Sequence, residues 1–489
     1  MATFNLIRNS RVWFTTNVDA TTGLIPTSGA TISNTNTFEL QVLDGFSFSQ
    51  GTQQTTVQLT EAGNTPVRGQ RAFNTSLDPV DFSFSTYIRP YGSSTVSCEE
   101  EVLWNALLSA ATMDKTGTSV PTVSSFSRAT TLTNVVTFTC AAMNFTAAGI
   151  SSGDTVTIST ITGTQGDQWN APAVLTITAG SGTAATGVSL AYLTAPSAAS
   201  GTSPSVAPTS IKVHKGAWTT HAATTGISAQ TLAHTGNSNK NQLQKFGLYF
   251  LVDGILYAVD NAALDQVSID FGLDGIATAA WTGKATALRQ LPSTAVVSSA
   301  NPGVFSGAGN ATGTAAAKNT AANYITNKLS TLTLISGIQG QGGTSYSVPI
   351  TGGSITYANN INYVVPANLG VVNNPIGYFT GTRSITGSVT AYLRTGTTAT
   401  AGLLSDILAG TATTSETKFR LQIEIGGASN SVKVEVNLNG CVLQVPTIET
   451  ADVMSTTINF TAQGYDPILA NNTYDLANAN DMTIKYFSV

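Results

Sequence analysis

Three histidines are the first candidates for chemistry: His214, His221 and His234. Zinc sites draw imidazoles from short helical or hairpin spacings, and separations of 7 and 13 fit none of these. They read as solvated surface groups. The glycine-rich run Gly337-Ile338-Gln339-Gly340-Gln341-Gly342-Gly343 invites a phosphate-loop reading, but no Lys-Ser/Thr and no helix follow it. Strand-like text flanks it on both sides, so a hairpin loop is the better account. Asp253, Asp260, Asp265, Asp270 and Asp274 lack the alternate-residue spacing around a glycine that a calcium loop requires, and fit turns and strand edges. No Ser or Cys sits in a nucleophile elbow, and no carboxylates pair at a spacing suited to acid–base work. The expectation is therefore no catalytic, cofactor-binding or metal site, and no enzyme.

The elements that would position any site are mostly strands. Phe46-Ser47-Phe48-Ser49 and Phe82-Ser83-Phe84-Ser85 alternate apolar and polar residues, the two-residue period of a half-buried strand. Phe419 to Ile425 alternates over seven residues, and Val432 to Val436 answers it after a Gly-rich turn, as a hairpin would. Leu248 to Val252, Asp253-Gly254 and Ile255 to Val259 form a second such hairpin. Short helical signals occur at Val102 to Leu108 and at Leu403 to Leu408. Trp13, Trp104, Tyr87, Phe82 and Tyr392 fall on strand or helix faces, where core packing is their default use.

These anchors come twice and in the same order. Ile7 to Phe14, Phe82 to Arg89, the first helix and Lys245-Phe246 are matched by Ile325 to Leu332, Ile385 to Arg394, the second helix and Lys418-Phe419. A doubled unit lets one chain supply two positions of a ring. The copies differ in one distance: Tyr87 to Lys245 is 158 positions, and Tyr392 to Lys418 is 26. The excess is enough for an inserted domain. Thr116 to Gly216 supplies it, with several short strands and Gly/Ser turns that suggest a small β-sandwich on the outside of the repeats.

The expected architecture is mainly β (α+β). Residues 1–114 and 218–292 form a discontinuous first domain and 115–217 an inserted, immunoglobulin-like β-sandwich. Residues 293–322 are a low-complexity linker, and 323–489 form a second domain like the first. The 489 residues carry only 10% charged side chains, well below the usual quarter, and a net charge of −5. That excludes a basic nucleic-acid binder, and 42% hydrophobic residues exclude an acidic disordered chain. Cys98, Cys140 and Cys441 lie too far apart for a Cys-based zinc site or a disulfide framework, which fits a reducing cytosol. No signal peptide and no membrane-spanning apolar run is expected.

The run from Leu59 to Asn74, continuing into Phe82-Ser83-Phe84-Ser85-Thr86-Tyr87-Ile88-Arg89-Pro90-Tyr91, closely resembles tail tube proteins of long-tailed bacteriophages. The second half agrees at Val348 to Gly353, Asn359 to Tyr363 and Pro375 to Gly381. Val445 to Val453, followed by Ile458-Asn459-Phe460, is similar to the family's last strands. The resemblance covers residues 1–113, 240–292 and 323–489, and is to the subset with two tandem tube domains per chain.

The resemblance implies stacked rings around a channel, each tube domain giving four strands to an inner barrel. Strands ~4.8 Å apart and tilted ~40° give 24 strands a backbone diameter near ~48 Å. Removing side chains leaves ~38 Å, enough for a DNA duplex of roughly 20 Å. Six domains per ring and two per chain make a homotrimeric, pseudo-hexameric ring. The resemblance assigns ring stacking to long loops, and Glu61, Arg68, Arg71, Asn74 and Asp78 are the candidates here. Arg68 and Arg71 could pair with carboxylates of the next ring, or be ordinary solvated arginines.

Such a protein would be a virion tail component, assembled in the host cytoplasm. Its partners would be further copies of itself and other tail proteins: tape measure, terminators, and baseplate or tip hub. Double-stranded DNA would pass without specific binding along a wall of acids and small hydroxyl residues. The competing expectation is a β-rich surface or adhesin protein that binds glycans through the inserted sandwich.

Overall fold

Alternating runs become strands throughout the computed structural model of the chain. It describes residues 10–27, 36–43, 45–58, 70–90, 98, 100–108, 118–121, 123–128, 135–148, 150–159, 161, 169–170, 172–192, 210–215, 217–222, 228–233, 243–252, 255–291, 309–310, 324–337, 343–369, 371–413, 419–426, 433–449, 453–463 and 481–488. The protein is mainly β: of the described residues, 65% are in strands and 8% are helical, with two α-helices among them.

The first elements are β1 (Arg11–Thr15), β2 (Thr37–Leu40), β3 (Ser47–Gln58), β4 (Gln70–Tyr87) and α1 (Glu101–Leu107). Next come β5 (Thr118–Pro121), β6 (Val123–Arg128), β7 (Val135–Met143), β8 (Thr155–Ser159), β9 (Pro172–Ser181), β10 (Ala184–Tyr192) and β11 (Ser210–Lys215). The chain continues through β12 (Ala217–Ala222), β13 (Ser228–Ala233), β14 (Phe246–Val252), β15 (Ile255–Gly272), β16 (Thr278–Ala285), β17 (Ala287–Leu291) and β18 (Gly309–Asn310). The second half opens with β19 (Thr331–Ser336), β20 (Ser345–Val348), β21 (Ile350–Ala358), β22 (Ile361–Val364), β23 (Gly377–Thr380) and β24 (Ser384–Tyr392). It ends with α2 (Thr400–Thr413), β25 (Phe419–Gly426), β26 (Lys433–Leu443), β27 (Thr447–Glu449), β28 (Ser455–Ala462) and β29 (Thr483–Ser488).

The two halves repeat each other pairing for pairing. In the first, β2 pairs with β1, β1 with β14, β14 with β15, β15 with both β16 and β17, and β4 with both β16 and β3. In the second, β20 pairs with β19, β19 with β25, β25 with β26, β26 with both β28 and β29, and β24 with both β28 and β21. Every one of these pairs is antiparallel.

One strand in each half serves two sheets. Residues 256–260 of β15 pair with β17, and the register with β14 then breaks before Phe246↔Ala262. After the break β15 pairs with β16. Asn261 sits in the break with φ 50, a left-handed conformation that Asn tolerates better than most residues. The same irregularity recurs in β26, between Leu421↔Leu438 and Phe419↔Cys441. A bulge turns a strand, and here it carries the chain from an outer sheet to an inner one.

The halves are not separate bodies. β15 pairs along its second part with β21, from Gln266↔Ala358 to Gly272↔Gly352. That pairing produces one inner sheet in the order β3, β4, β16, β15, β21, β24, β28, with β27 at the far edge. One hydrophobic core runs through both halves, from Val12 and Phe14 to Ile484 and Tyr486. Its large side chains stabilise the fold by about 1.5–3 kcal/mol each when fully buried. β12 and β13 extend the second half's outer sheet, because β13 pairs with β29. Ala217–Ala222 and Ser228–Ala233 therefore join the second half's sheet, although the sequence reading grouped 218–292 with the first.

Helix α1 is too short to be stable alone and makes no side-chain N-cap bond. Burial holds it: Val102, Leu103, Trp104, Ala106 and Leu107 are all inside. The Trp104 indole N–H donates to the Tyr486 hydroxyl at 2.7 Å, and its ring meets Trp281 edge-on at 4.9 Å. Asn359 Nδ2 donates to the Leu107 carbonyl at 2.9 Å, satisfying a helix-end acceptor. The first half's helix is thus clamped by residues of the second.

β5 to β11 form their own seven-stranded sheet, in the order β5, β11, β8, β9, β10, β7, β6. It encloses a separate core around Phe138, Phe145, Trp169, Leu190 and Tyr192. Cys98, Cys140 and Cys441 are all buried, and none forms a disulfide.

Candidate assembly surfaces

The inner sheet has two faces of opposite chemistry. Phe82, Phe84, Ile269, Trp281, Ile355, Tyr357, Ile385, Val389, Ile458 and Phe460 point into the core. The alternate positions point away, and hydroxyl residues are the commonest there: Ser83, Ser85, Ser268, Thr282, Ser354, Thr356, Thr386, Ser388, Thr390, Thr457 and Thr461, with Gln266, Ala280 and Asn459 among them. Hydroxyls meet across strands, Ser47 with Ser83 at 2.8 Å and Thr356 with Ser268 at 3.4 Å. Charges on this face are few among the described residues. Lys284 pairs with Asp81 at 3.2 Å, and Asp270 lies near the strand end.

The acids singled out in the sequence scatter. Asp260 is fully buried against Arg289 and also accepts the Ile25 N–H at 2.8 Å. Asp265 accepts the Ile361 N–H at 2.7 Å, and Asp274 lies 3.8 Å from Lys328 in an exposed turn. Asp270 sits on the open hydroxyl face, and Asp265 borders it beside Ser83, Thr282 and Lys284; Asp253 lies outside the described residues. The histidine side chains and Gly340 to Gly342 lie outside them too. Among the described residues no group of three His, Cys, Asp or Glu could hold a metal ion.

Among the described residues the sheet has two free edges, β3 and β27 with the end of β26. By strand correspondence, β3 matches β21 and β27 matches the second part of β15. Ile448 thus occupies the place of Ile269, and Phe48 that of Ile355. Ile269 and Ile355 are each 1% exposed at the internal joint, whereas Ile448 is 43% exposed and Phe48 half-buried. An apolar residue on the core side of a sheet edge, left in water, is a surface awaiting a partner. Sequence reasoning placed Phe48 on a half-buried strand and Ile448 in a strand-like run, but gave neither an edge role. The signal was present in Val445 to Val453, but the edge is visible only once β15 is known to pair with β21.

Two long hairpins rise from the same end of the inner sheet. β3 and β4 form the first, and its exposed upper part carries three of the stacking candidates. The Arg71 guanidinium lies 4.9 Å over the Phe73 ring, Asn74 Oδ1 accepts from Gln54 at 2.9 Å, and the Asp78 carboxylate accepts from Gln53 at 3.0 Å. Arg71, Asn74 and Asp78 therefore share one hairpin; Glu61 and Arg68 lie outside the described residues.

The second hairpin, β22 and β23, bends at Asn360, whose φ is 52, and folds over the first half. The Tyr363 hydroxyl donates to the Asn261 carbonyl at 2.8 Å, and that of Tyr378 to the Leu243 carbonyl at 2.8 Å. Burial pushes the Tyr378 hydroxyl up to about 12 and that of Tyr363 well above its ordinary value, so both stay neutral donors. No helix among the described residues is long and apolar enough to cross a membrane.

No protein-family model matches the chain. The chain is similar to the tail tube protein pb6 of Escherichia phage T5, with 23% identity over 468 residues, 94% of this chain and 72% of the relative. That likeness along nearly the whole chain, together with the β-rich fold, supports a phage tail tube protein.

Proposed function

We propose that three copies of this chain close into a pseudo-sixfold ring, and that the rings stack into a hollow tail tube through which DNA passes. The observation that carries this reading is the matched pair of free edges. The chain already makes one joint between its two halves, β15 to β21, and its outer edges are a second such joint left open. Three chains would join six units head to tail and leave no exposed strand edge. Each chain would supply eight inner strands, and 24 strands give a backbone diameter near ~48 Å.

The helices support the same closure. α1 is covered by the second half, whereas α2 keeps Leu408 exposed on a face that a neighbour's first half would cover. The open face of the inner sheet would line the channel. Phosphate binding depends on free Lys and Arg, and a hydroxyl wall whose Lys284 is paired gives DNA little to hold. We assign residues 1–114 with 218–292 and residues 323–489 to two tube domains, with β12 and β13 crossing over to the second half's sheet, and 115–217 to a decoration outside the ring, three per ring. This role is structural and non-enzymatic, in the virion tail, with other tail proteins at the two ends of the tube.

The internal joint sets the register of the external one. Ser268 faces Thr356, so Thr447 of one copy should face Ser49 of the next. Ser49→Cys and Thr447→Cys in one chain, oxidised after assembly, should give cross-linked dimers and trimers and nothing larger. Opposed strand residues lie within disulfide reach, and the native cysteines are buried. A ladder running past three, or no cross-linking in assembled protein, would overturn the closed three-chain ring.

A further inference from the structure

The two halves match strand for strand on the inner sheet but differ at one edge of the outer sheet. In the second half, β29 pairs with β26 on one side and with β13 on the other, from Ser228↔Ser488 to Ala233↔Thr483. β17 holds the place of β29 in the first half, and among the described residues it pairs only with β15. Its other edge is met from within its own half. The Leu288 N–H donates to Gln50 Oε1 at 3.2 Å, and Gln50 Nε2 donates to the Thr286 carbonyl at 3.3 Å. A carboxamide bonded on both sides of Ala287 imitates one residue of an added strand and covers the edge there.

By chain order β13 belongs to the first half. The chain leaves that half after α1, builds the inserted sheet and returns at β14. On the way back, β12 and β13 cross to the outer sheet of the second half. A lone two-stranded hairpin is marginally stable in water. This one is held on both sides: β13 is paired with β29, and β12 lies against β8 and β9 of the inserted sheet. Only Gly216 separates β11 from β12, so the inserted domain and the hairpin have little freedom to move apart. The position of this tie matters. A single line of paired strands such as β15–β21 can hinge about its own length. The β13–β29 pairing spans the same two halves on the outer sheet, across the core, and stacked sheets lie about 10 Å apart. It therefore has a long lever arm against that bending, with the Trp104–Tyr486 bond between the two.

We propose that the β12–β13 hairpin, backed by the inserted domain, is a strap across the internal joint that fixes the angle between the two halves before copies join. A closed ring needs the same turn at every joint, and a chain that arrives already bent loses less freedom on closing. That use of the strap rests on the three-chain ring; the fixed angle is a property of the single chain.

The register gives a first test in dilute monomer. Ser228→Cys with Ser488→Cys should oxidise to an intramolecular disulfide, because opposed strand residues lie within reach and the native cysteines are buried. Failure to form it in folded protein would overturn the pairing. The second test replaces Ala217–Ala222 and Ser228–Ala233 by Gly and Ser in the full chain, with a thermal melt to check that both cores stay folded. Spin labels attached through Thr21→Cys and Ser345→Cys, both exposed, read the angle between the halves. The distance distribution should be narrow with the strap and about twice as broad without it. An equally narrow distribution in the strapless chain would overturn the proposal. Half-maximal ring formation, read as mass by light scattering, should then need about tenfold more strapless protein. An unchanged midpoint beside a broadened distribution would overturn the part of the strap in closure. A strap-dependent narrow distribution in a chain that never forms rings would keep the strap and discard the ring.

Discussion

The Phe82 ring packs directly over Gly283, its cross-strand partner, and fills the space a side chain there would take. The second half makes the same pair with the residues exchanged: Gly387 lies opposite Phe460 and under its ring. An aromatic laid over a cross-strand glycine covers backbone that would otherwise be bare. The two halves thus conserve the filled volume and not the position of the aromatic.

Exchange in one half should therefore be tolerated. Gly283→Ala would drive a Cβ into the Phe82 ring and to 2.5 Å from the Ala263 carbonyl oxygen, costing about 1–3 kcal/mol. Phe82→Ala should cost about 3–5 kcal/mol. Phe82→Gly with Gly283→Phe rebuilds the arrangement that the second half already uses, and should recover most of that loss. Urea unfolding of the wild type, Phe82→Gly, Gly283→Phe and the double variant gives the coupling; a double variant no more stable than the sum of its singles would refute the exchange.

Ile269 and Ile448 offer a second comparison, between equal residues at a closed and an open edge. Ile269→Ser should destabilise the monomer by about 3 kcal/mol or more, since it puts a hydroxyl in a packed core and leaves a cavity. Ile448→Ser should change the monomer's melting point little and instead prevent closure. The checks are a thermal melt and light-scattering mass; ring formation by the Ile448 variant at wild-type concentrations would count against the open-edge reading.

Much of this fold was legible because alternation is local. The runs around Phe82 and Phe419 became strands β4 and β25, and Lys245-Phe246 stands at the start of β14. The repeat was legible too, but its first anchor was set two residues off. Val12 lies opposite Phe250 and Leu332 opposite Ile423, so Val12 matches Leu332, whereas aligning Ile7 with Ile325 sets Phe14 there. A slip of two keeps every inward residue inward, so the apolar pattern could not detect it. The β15–β21 joint and the exposure of Ile448 were not legible, because each depends on which strands become neighbours over long separations. The stacking candidates came from loop composition, which finds polar hairpins; the full exposure of Leu369 on the second hairpin is visible only in the structure.

The Arg289–Asp260 pair ties three segments together. Asp260 is wholly buried in the bulge of β15, Arg289 comes from β17, and Arg289 Nη2 also donates to the Ile25 carbonyl at 3.2 Å. Asp260→Asn removes the charge but keeps the shape, and leaves the guanidinium without its counter-ion. A loss of about 3–5 kcal/mol is expected, the cost of breaking one side of a buried pair. Arg289→Leu with Asp260→Leu should be far milder than the Asn variant alone. Equal losses in both would show that the bulge needs the Asp260 bond to the Ile25 N–H more than the ion pair.

Glu435 should set part of the acid limit of the second half. Burial alone would push its carboxyl up, but the Lys485 ammonium at 3.2 Å, the Asn437 amide at 2.7 Å and nearby Lys433 outweigh it, so its pKa lies below the ordinary value of 4.5. A depressed folded-state pKa means the unfolded chain binds the proton more readily. The stabilisation is thus fully present above about pH 4.5 and is lost as the pH falls through the lower folded value. Glu435→Gln should flatten the part of the stability–pH curve below pH 4.5 and lower stability at pH 7. Urea midpoints measured across this range for the two proteins decide it. An unchanged slope in the variant would mean that the acid sensitivity of this sheet does not arise from Glu435.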